Sequence, residues 1–353
     1  MRSEKPEGDL KRGWTTGACA TAATKAAFTA LLTGAFPDPV TITLPKGETP
    51  SFPLALEGRG DGWARVGIIK DAGDDPDVTH GAMIIATLRH LPPGSGVVFK
   101  AGEGVGMVTR EGLPVPVGEP AINPVPRALM RGVIAELGGT DVEIEIAVPG
   151  GELLSRGTWN SRLGIVGGLS ILGTTGIVHP YSCAAWIASI HRGVDVARAA
   201  RFPHVAGCTG STSEDAVRAL YGLPLEAMID MGDFAGGLLK YLRDHPVPRV
   251  TIGGGFAKMV KLAQGAMDLH SGRSQVDFDW LAALAGREEI KSANTAMQAL
   301  DIAGQQLAQA VAVKAHEAVV AILRGAPVLA DVVIVSRTGE IVASSSAPEK
   351  AKT

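Results

Sequence analysis

Beyond Pro149-Gly150-Gly151, short apolar runs of strand length alternate with helix-length segments almost to the end of the chain. The runs lie at residues 164–172, 204–207, 249–252 and 332–336. Between them, residues 181–200, 213–221, 234–243, 256–266 and 294–323 read as helices. Strands that a helix separates in sequence must be joined by crossovers, and crossovers bring strands together in parallel. The alternation therefore predicts a Rossmann-like α/β domain with a mostly parallel sheet and helices on both faces, spanning residues 151–345.

The first 150 residues read differently. An Ala-rich helix over residues 17–33 stops at Gly34 and Pro37. Short strand-like runs follow at 40–44, 63–69, 82–88, 96–100 and 141–148, with one helix at 125–137 behind Pro124. Mostly strands with two covering helices make an N-terminal α+β two-layer domain over residues 1–150. The small, polar end at 346–353 reads as a frayed tail.

A chain of 353 residues has room for two such cores. With 33 basic and 36 acidic side chains the net charge is −3, which argues against nucleic acid as a partner. Three scattered cysteines exclude a disulfide framework and a Cys-rich metal site, and fit a reducing, cytoplasmic setting. The charged N-terminus lacks the apolar stretch of a secretory signal. The most apolar segment, 295–323, is broken by Asp301, Lys314, His316 and Glu317, so it is expected to be an amphipathic helix and not a membrane span. Glycine is the outlier, at 45 residues, and many of these sit at strand ends.

Five glycine or acidic motifs could carry chemistry. Gly13-Trp14-Thr15-Thr16-Gly17 precedes the first helix and reads either as a capped helix start or as an anion site. Lys70-Asp71-Ala72-Gly73-Asp74-Asp75-Pro76-Asp77 reads as a solvated turn or as the source of a catalytic carboxylate; it lacks calcium-loop spacing. Gly102-Glu103-Gly104-Val105-Gly106 has no following helix and so fails as a dinucleotide fingerprint. The run from Asn160 to Val178 ends in Gly173-Thr174-Thr175-Gly176, expected at the carboxyl end of a strand. Two strand-to-helix turns, Gly207-Cys208-Thr209-Gly210-Ser211 and Gly253-Gly254-Gly255, complete the set, with Ser211 and Glu214 in capping-box spacing. Arg162, Lys258, Lys261, His270 and Arg273 lie near these turns in sequence. No Walker lysine motif, nucleophile elbow or paired-histidine metal helix occurs. The residues alone describe a protein for a sizeable polar or anionic ligand, either an enzyme such as a small-molecule phosphotransferase or a carrier.

These same motifs, together with Pro120-Ala121-Ile122-Asn123-Pro124-Val125-Pro126-Arg127, Lys261-Leu262-Ala263, His270-Ser271 and Ala293-Asn294-Thr295, resemble the CbiD family of cobalt-precorrin-5B C(1)-methyltransferases over nearly the whole chain. Trp14 stands where that family more often has tyrosine, and Ala257 where it commonly has glycine. The resemblance implies S-adenosylmethionine as donor and a cobalt-bearing tetrapyrrole with many carboxylates as acceptor. The methyl goes to ring carbon 1, giving cobalt-precorrin-6A in cobalamin biosynthesis. The cobalt comes with the substrate, so no protein metal site is expected. A non-catalytic corrinoid-binding protein is the alternative from another class.

On that reading Asp71, Asp74 and Asp75, with Asp77 beside them, and Thr174 and Thr175 are the catalytic candidates. Gly207, Thr209, Gly210, Ser211, Gly253, Gly254 and Gly255 are expected to hold the donor. Thr15, Thr16, Arg162, Gly173, Gly176 and His270 are expected to hold the macrocycle, across the junction of the two domains. No membrane partner is expected, and a homo-oligomer is left open.

Overall fold

A computed structural model describes residues 8–345. The expected tail at 346–353 lies outside these residues. The chain forms a mixed α/β structure with two compact units, Met1–Ser182 and Cys183–Thr353.

The first unit runs β1 (Gly13–Trp14), α1 (Thr16–Thr33), β2 (Val40–Thr41), β3 (Ser51–Phe52), β4 (Leu56–Gly60), β5 (Trp63–Ile69), β6 (Met83–His90), β7 (Val97–Ala101) and β8 (Met107–Val108). It continues with α2 (Pro124–Glu136), β9 (Val142–Ala147), α3 (Gly151–Ser155), β10 (Ile165–Val166) and β11 (Ile177–Val178). Its main sheet has the order β4-β5-β6-β9-β7, antiparallel except for the β7–β9 pair. Helix α1 packs on β5 and β6 and is buried on nearly every face. Its alanines make that possible, because a side chain of one carbon lets the helix backbone approach the sheet closely. Thr15 caps the helix, its hydroxyl accepting from the Ala18 N–H at 3.2 Å, and Gly34 closes it in the left-handed region.

The division falls after Ser182, not at residue 150. The segment expected to open the parallel sheet at 164–172 is tied instead to the first unit. Ile165 pairs with Val108, Leu169 N–H donates to Gly104 at 2.8 Å, and Ile171 N–H to Ala121 at 2.8 Å. Left-handed glycines at 164, 167, 173 and 176 explain the failure of the strand, since extended pairing cannot continue through them.

The second unit contains α4 (Cys183–Ala199), β12 (His204–Cys208), α5 (Ser211–Tyr221), β13 (Met228–Ile229), α6 (Ala235–Asp244), β14 (Arg249–Gly255) and α7 (Phe256–Ala263). It ends with α8 (Phe278–Ala285), α9 (Ala296–Leu323), β15 (Leu329–Val335) and β16 (Ile341–Ser344). The sheet order is β13-β12-β14-β15-β16, parallel but for the last strand. Side chains alternate across it. Val205, Val250, Ile252, Val332 and Ile334 join α6, α7 and α9 in one core, while Ala206, Cys208, Val333 and Val335 join Val217 of α5 in another. Helix α9 packs on α7 and β15, with Leu307, Val311, Ala315 and Val319 buried. Strand β16 was not foreseen, and it includes Ser344, where the polar tail was expected to begin.

Candidate functional site

In the second unit the strand order reverses between β12 and β14. Connections leave in opposite directions from such a point, so a crevice opens beyond the carboxyl ends of the two strands. Both strands run directly into helices there. Helix α5 begins after Gly210 and α7 after Gly255, and neither N-cap residue has a side chain to bond the first amides. The free N–H groups of two helix starts are thus presented at adjacent strand ends, an arrangement suited to polar or anionic ligand groups.

The glycines here divide into two kinds. A Cβ on Gly207 would meet Leu238 at 2.3 Å, one on Gly253 would meet Val217 at 2.7 Å, and one on Gly254 would meet Met259 at 2.7 Å. Those three are required by packing within the unit. A Cβ on Gly210 or Gly255 would meet nothing within 4 Å. These two leave main chain accessible. The Thr209 N–H donates to Gly253 at 3.0 Å and joins the two strand ends. Ser211 does not serve as the helix cap expected of it. The helix starts earlier than its pattern suggested, with Gly210 as N-cap and Ser211 in the first turn.

Beside the crevice, residues 267–274 are held down by two lysines of α7. Lys258 donates to Asp233 at 2.7 Å and to the Leu269 carbonyl at 2.9 Å, and Lys261 donates to the same carbonyl at 3.1 Å. Burial, then the neighbouring Lys258, lowers the pKa of Lys261. The Leu269 N–H returns to the Asp233 carbonyl at 2.8 Å. His270 is exposed on this loop, its Nδ1 accepting from the Gly272 N–H at 3.1 Å. Asp233 was not singled out in the sequence. Its spacing from Lys258 carries no local pattern.

In the first unit, three motifs far apart in sequence converge. Trp14 N–H donates to Asp71 at 2.7 Å, Thr15 N–H to Gly176 at 2.9 Å and Gly17 N–H to Leu172 at 3.0 Å. Thr15 and Thr16 are buried, the first as helix cap and the second bonded through its hydroxyl to both the N–H and carbonyl of Leu172. Their hydroxyls are therefore engaged within the chain, which removes the expected free anion site at α1. Thr174 is exposed, while the Thr175 hydroxyl accepts from Ile177 N–H at 3.3 Å in a local turn. Gly173 lies against Thr15 and Gly176 against Leu44. Arg162 is half-buried, its N–H donating to the Trp159 carbonyl at 3.0 Å.

The acidic loop separates into distinct jobs. Asp71 accepts from Lys11 Nζ and Asp74 from the Lys11 N–H, both at 2.6 Å. The Lys11 hydrogen bond, followed by that from Gly73 N–H, holds the Asp71 carboxyl below its usual range. Asp77 accepts from Lys70 at 2.7 Å and from the hydroxyl and N–H of Thr79. Burial pushes the Asp77 carboxyl up, but Lys70 and Thr79 outweigh it and the net shift is downward. Lys70 is only 1% exposed, and this buried pair was missed because Lys70 reads as the polar end of a strand. Asp75 alone moves the other way. Burial raises it, with the charge of Asp77 adding, although Tyr181 N–H donates to it at 2.8 Å.

The Gly102–Gly106 motif is a packing device. A Cβ on Gly104 would lie 2.1 Å from the Val148 carbonyl, and one on Gly168 would lie 2.2 Å from the Gly104 carbonyl. Among the described residues no group of three His, Cys, Asp or Glu is placed to hold a metal ion.

The chain matches the family model of CbiD over residues 3–180 and that of the CbiD C-terminal domain over residues 268–346. A cobalt-precorrin-5B C(1)-methyltransferase of Brucella anthropi is 62% identical over 353 residues, covering 96% of each chain. Its counterpart in Brucella canis is 60% identical over 358 residues, covering 97% of each. A crystal structure of the cobalamin biosynthesis protein cbiD from Archaeoglobus fulgidus aligns at 25% identity with a TM-score of 0.39, over 81% of this chain and 83% of that one.

Proposed function

The chain belongs to the CbiD family, and on that premise we propose that it transfers one methyl group from S-adenosylmethionine to ring carbon 1 of cobalt-precorrin-5B in cobalamin biosynthesis, giving cobalt-precorrin-6A. The observation that carries this reading is identity of 62% across 96% of both chains with a relative named for that reaction.

The chemistry asks for what the residues supply. A sulfonium methyl is already activated, so no protein nucleophile is required. In the transfer the carbon–sulfur bond breaks as the new carbon–carbon bond forms, S-adenosylhomocysteine leaves uncharged, and the positive charge passes to the ring. Positioning carries most of the rate, an effect of about 7–11 kcal/mol when reacting atoms are well aligned. Fixed N–H groups that replace lost hydration suit a dry site.

We assign the donor to the crevice at the Rossmann-like strand ends of the second unit, where Gly210 and Gly255 leave main chain accessible. The macrocycle, whose cobalt arrives with it, is assigned to the first-unit surface at Thr174 and the half-exposed Leu172. Asp75 is the carboxylate best suited to take a ring proton, since burial makes it more basic than its neighbours. The test is anaerobic turnover, with cobalt-precorrin-5B made in situ and a methyl-labelled donor. Gain of one labelled methyl by the macrocycle is expected. No gain beside an active control enzyme refutes the reading.

A further inference from the structure

Two acids, Asp230 and Asp233, stand where the chain leaves β13 in the second unit. Strand β13 is the neighbour of β12 on the side away from β14, and Gly207 is in register with Ile229. Asp230, the next residue, therefore sits level with Cys208, beyond which Thr209 and Gly210 turn into α5. In open α/β sheets, the pyrophosphate or nucleoside of a ligand lies over the first strand's turn. An acid at the end of the adjacent strand, about 20 residues further on, then reaches its ribose hydroxyls. Asp230 comes twenty residues after Gly210.

The two acids are not equivalent. Asp233 is 5% exposed and takes the Lys258 ammonium at 2.7 Å, a pairing that anchors the 267–274 loop. Asp230 is only partly buried. Its main chain is fixed on both sides: Trp186 Nε1 donates to its carbonyl at 3.0 Å, and Met231 N–H closes a tight turn onto Ile229 at 2.7 Å. A carboxylate on a pinned strand end, beside an accessible glycine turn, has the fixed geometry that recognition of a vicinal diol requires.

We infer that Asp230 is the donor-specificity residue, accepting hydrogen bonds from the two ribose hydroxyls of the adenosyl group. This rests on the methyltransferase reading and adds the residue that distinguishes a ribonucleoside donor from its deoxy counterpart. Gly210 and Gly255 admit the ligand, and Asp230 selects its sugar.

The test is calorimetry on the full chain with two probes, S-adenosylhomocysteine and its 2′,3′-dideoxy analogue. The wild-type chain should prefer S-adenosylhomocysteine by about 10- to 100-fold, the worth of hydrogen bonds to a charged group. Asp230→Asn should bind S-adenosylhomocysteine weaker by a similar factor and bind the dideoxy analogue as the wild type does. Equal losses for both probes would mean that Asp230 only supports the fold, and no loss for either would mean that it does not touch the ligand. Each overturns the inference while leaving the donor reading intact. A wild-type chain that binds neither probe overturns both together.

Discussion

The glycine-rich segments of the two units look alike in sequence and do opposite things. In the first unit, Gly104 and Gly168 press main chain against main chain, and Gly13 packs onto the backbone of Ala72. In the second, Gly210 and Gly255 border open space at the ends of parallel strands. One set lets the chain pack against itself, and the other leaves it open to a ligand. A glycine motif thus reports only that a backbone must be approached closely. What approaches it has to be read from the fold.

The largest expected effect breaks the first half of this comparison. Gly104 has φ +71° and a carbonyl 2.1 Å from its missing Cβ, so Gly104→Val meets both backbone strain and a clash that no rotamer relieves. A loss of about 4 kcal/mol or more is expected in urea unfolding, or a failure to yield folded protein. Lys70→Met follows closely. It strands the partly buried Asp77 carboxylate without its ammonium and should cost about 3–5 kcal/mol, whereas Lys70→Met with Asp77→Asn should recover much of the loss.

Gly255→Val probes the other half. Its backbone is extended and its surroundings are open, so folding should change by less than about 0.5 kcal/mol. Affinity for S-adenosylhomocysteine should fall tenfold or more, about 1.4 kcal/mol. Gly254→Val is a poorer probe, because its side chain would displace Met259 and Thr209 before reaching any ligand.

The smallest effect lies at the opposite end of the same sheet. His204 Nε2 lies 2.8 Å from the Thr251 hydroxyl, and burial, with Arg249 nearby, lowers its pKa from 6.5 to about 4. The folded chain keeps it neutral where the unfolded chain takes a proton. Its contribution is complete above the unfolded pKa and is lost as pH falls from there towards 4. With solvent exposure discounted, roughly 1–2 kcal/mol should disappear over that interval. Urea titrations at several pH values should show this slope in the wild type and a shallower one in His204→Gln.

Where local pattern alone decides structure, the sequence is readable. Strand β5 over Trp63–Ile69 has alternating apolar residues, and α1 has an alanine run between a threonine cap and a glycine stop. The parallel sheet of the second unit follows from its alternation. The segment at 164–172 misleads because its apolar residues suggest a strand while its glycines adopt left-handed φ. Strand β13 has two residues, too few to carry a period. At the site, the turns at Gly210 and Gly255 could be located but not told apart from Gly104, since the atoms that crowd Gly104 belong to Val148 and Gly151. Thr15 and Thr16 misled for a similar reason. The partner of Thr16 is Leu172, 156 residues away.

The central claim is that the accessible glycine turns of the second unit receive the donor, and hydrogen exchange tests it most directly. Amide exchange should be measured by mass spectrometry with and without saturating S-adenosylhomocysteine. Slowed exchange at residues 209–214 and 254–258, with no change at 102–106 and 164–168, is the expected result. Protection confined to residues 13–18 and 172–176, with none at 209–214 or 254–258, would contradict it.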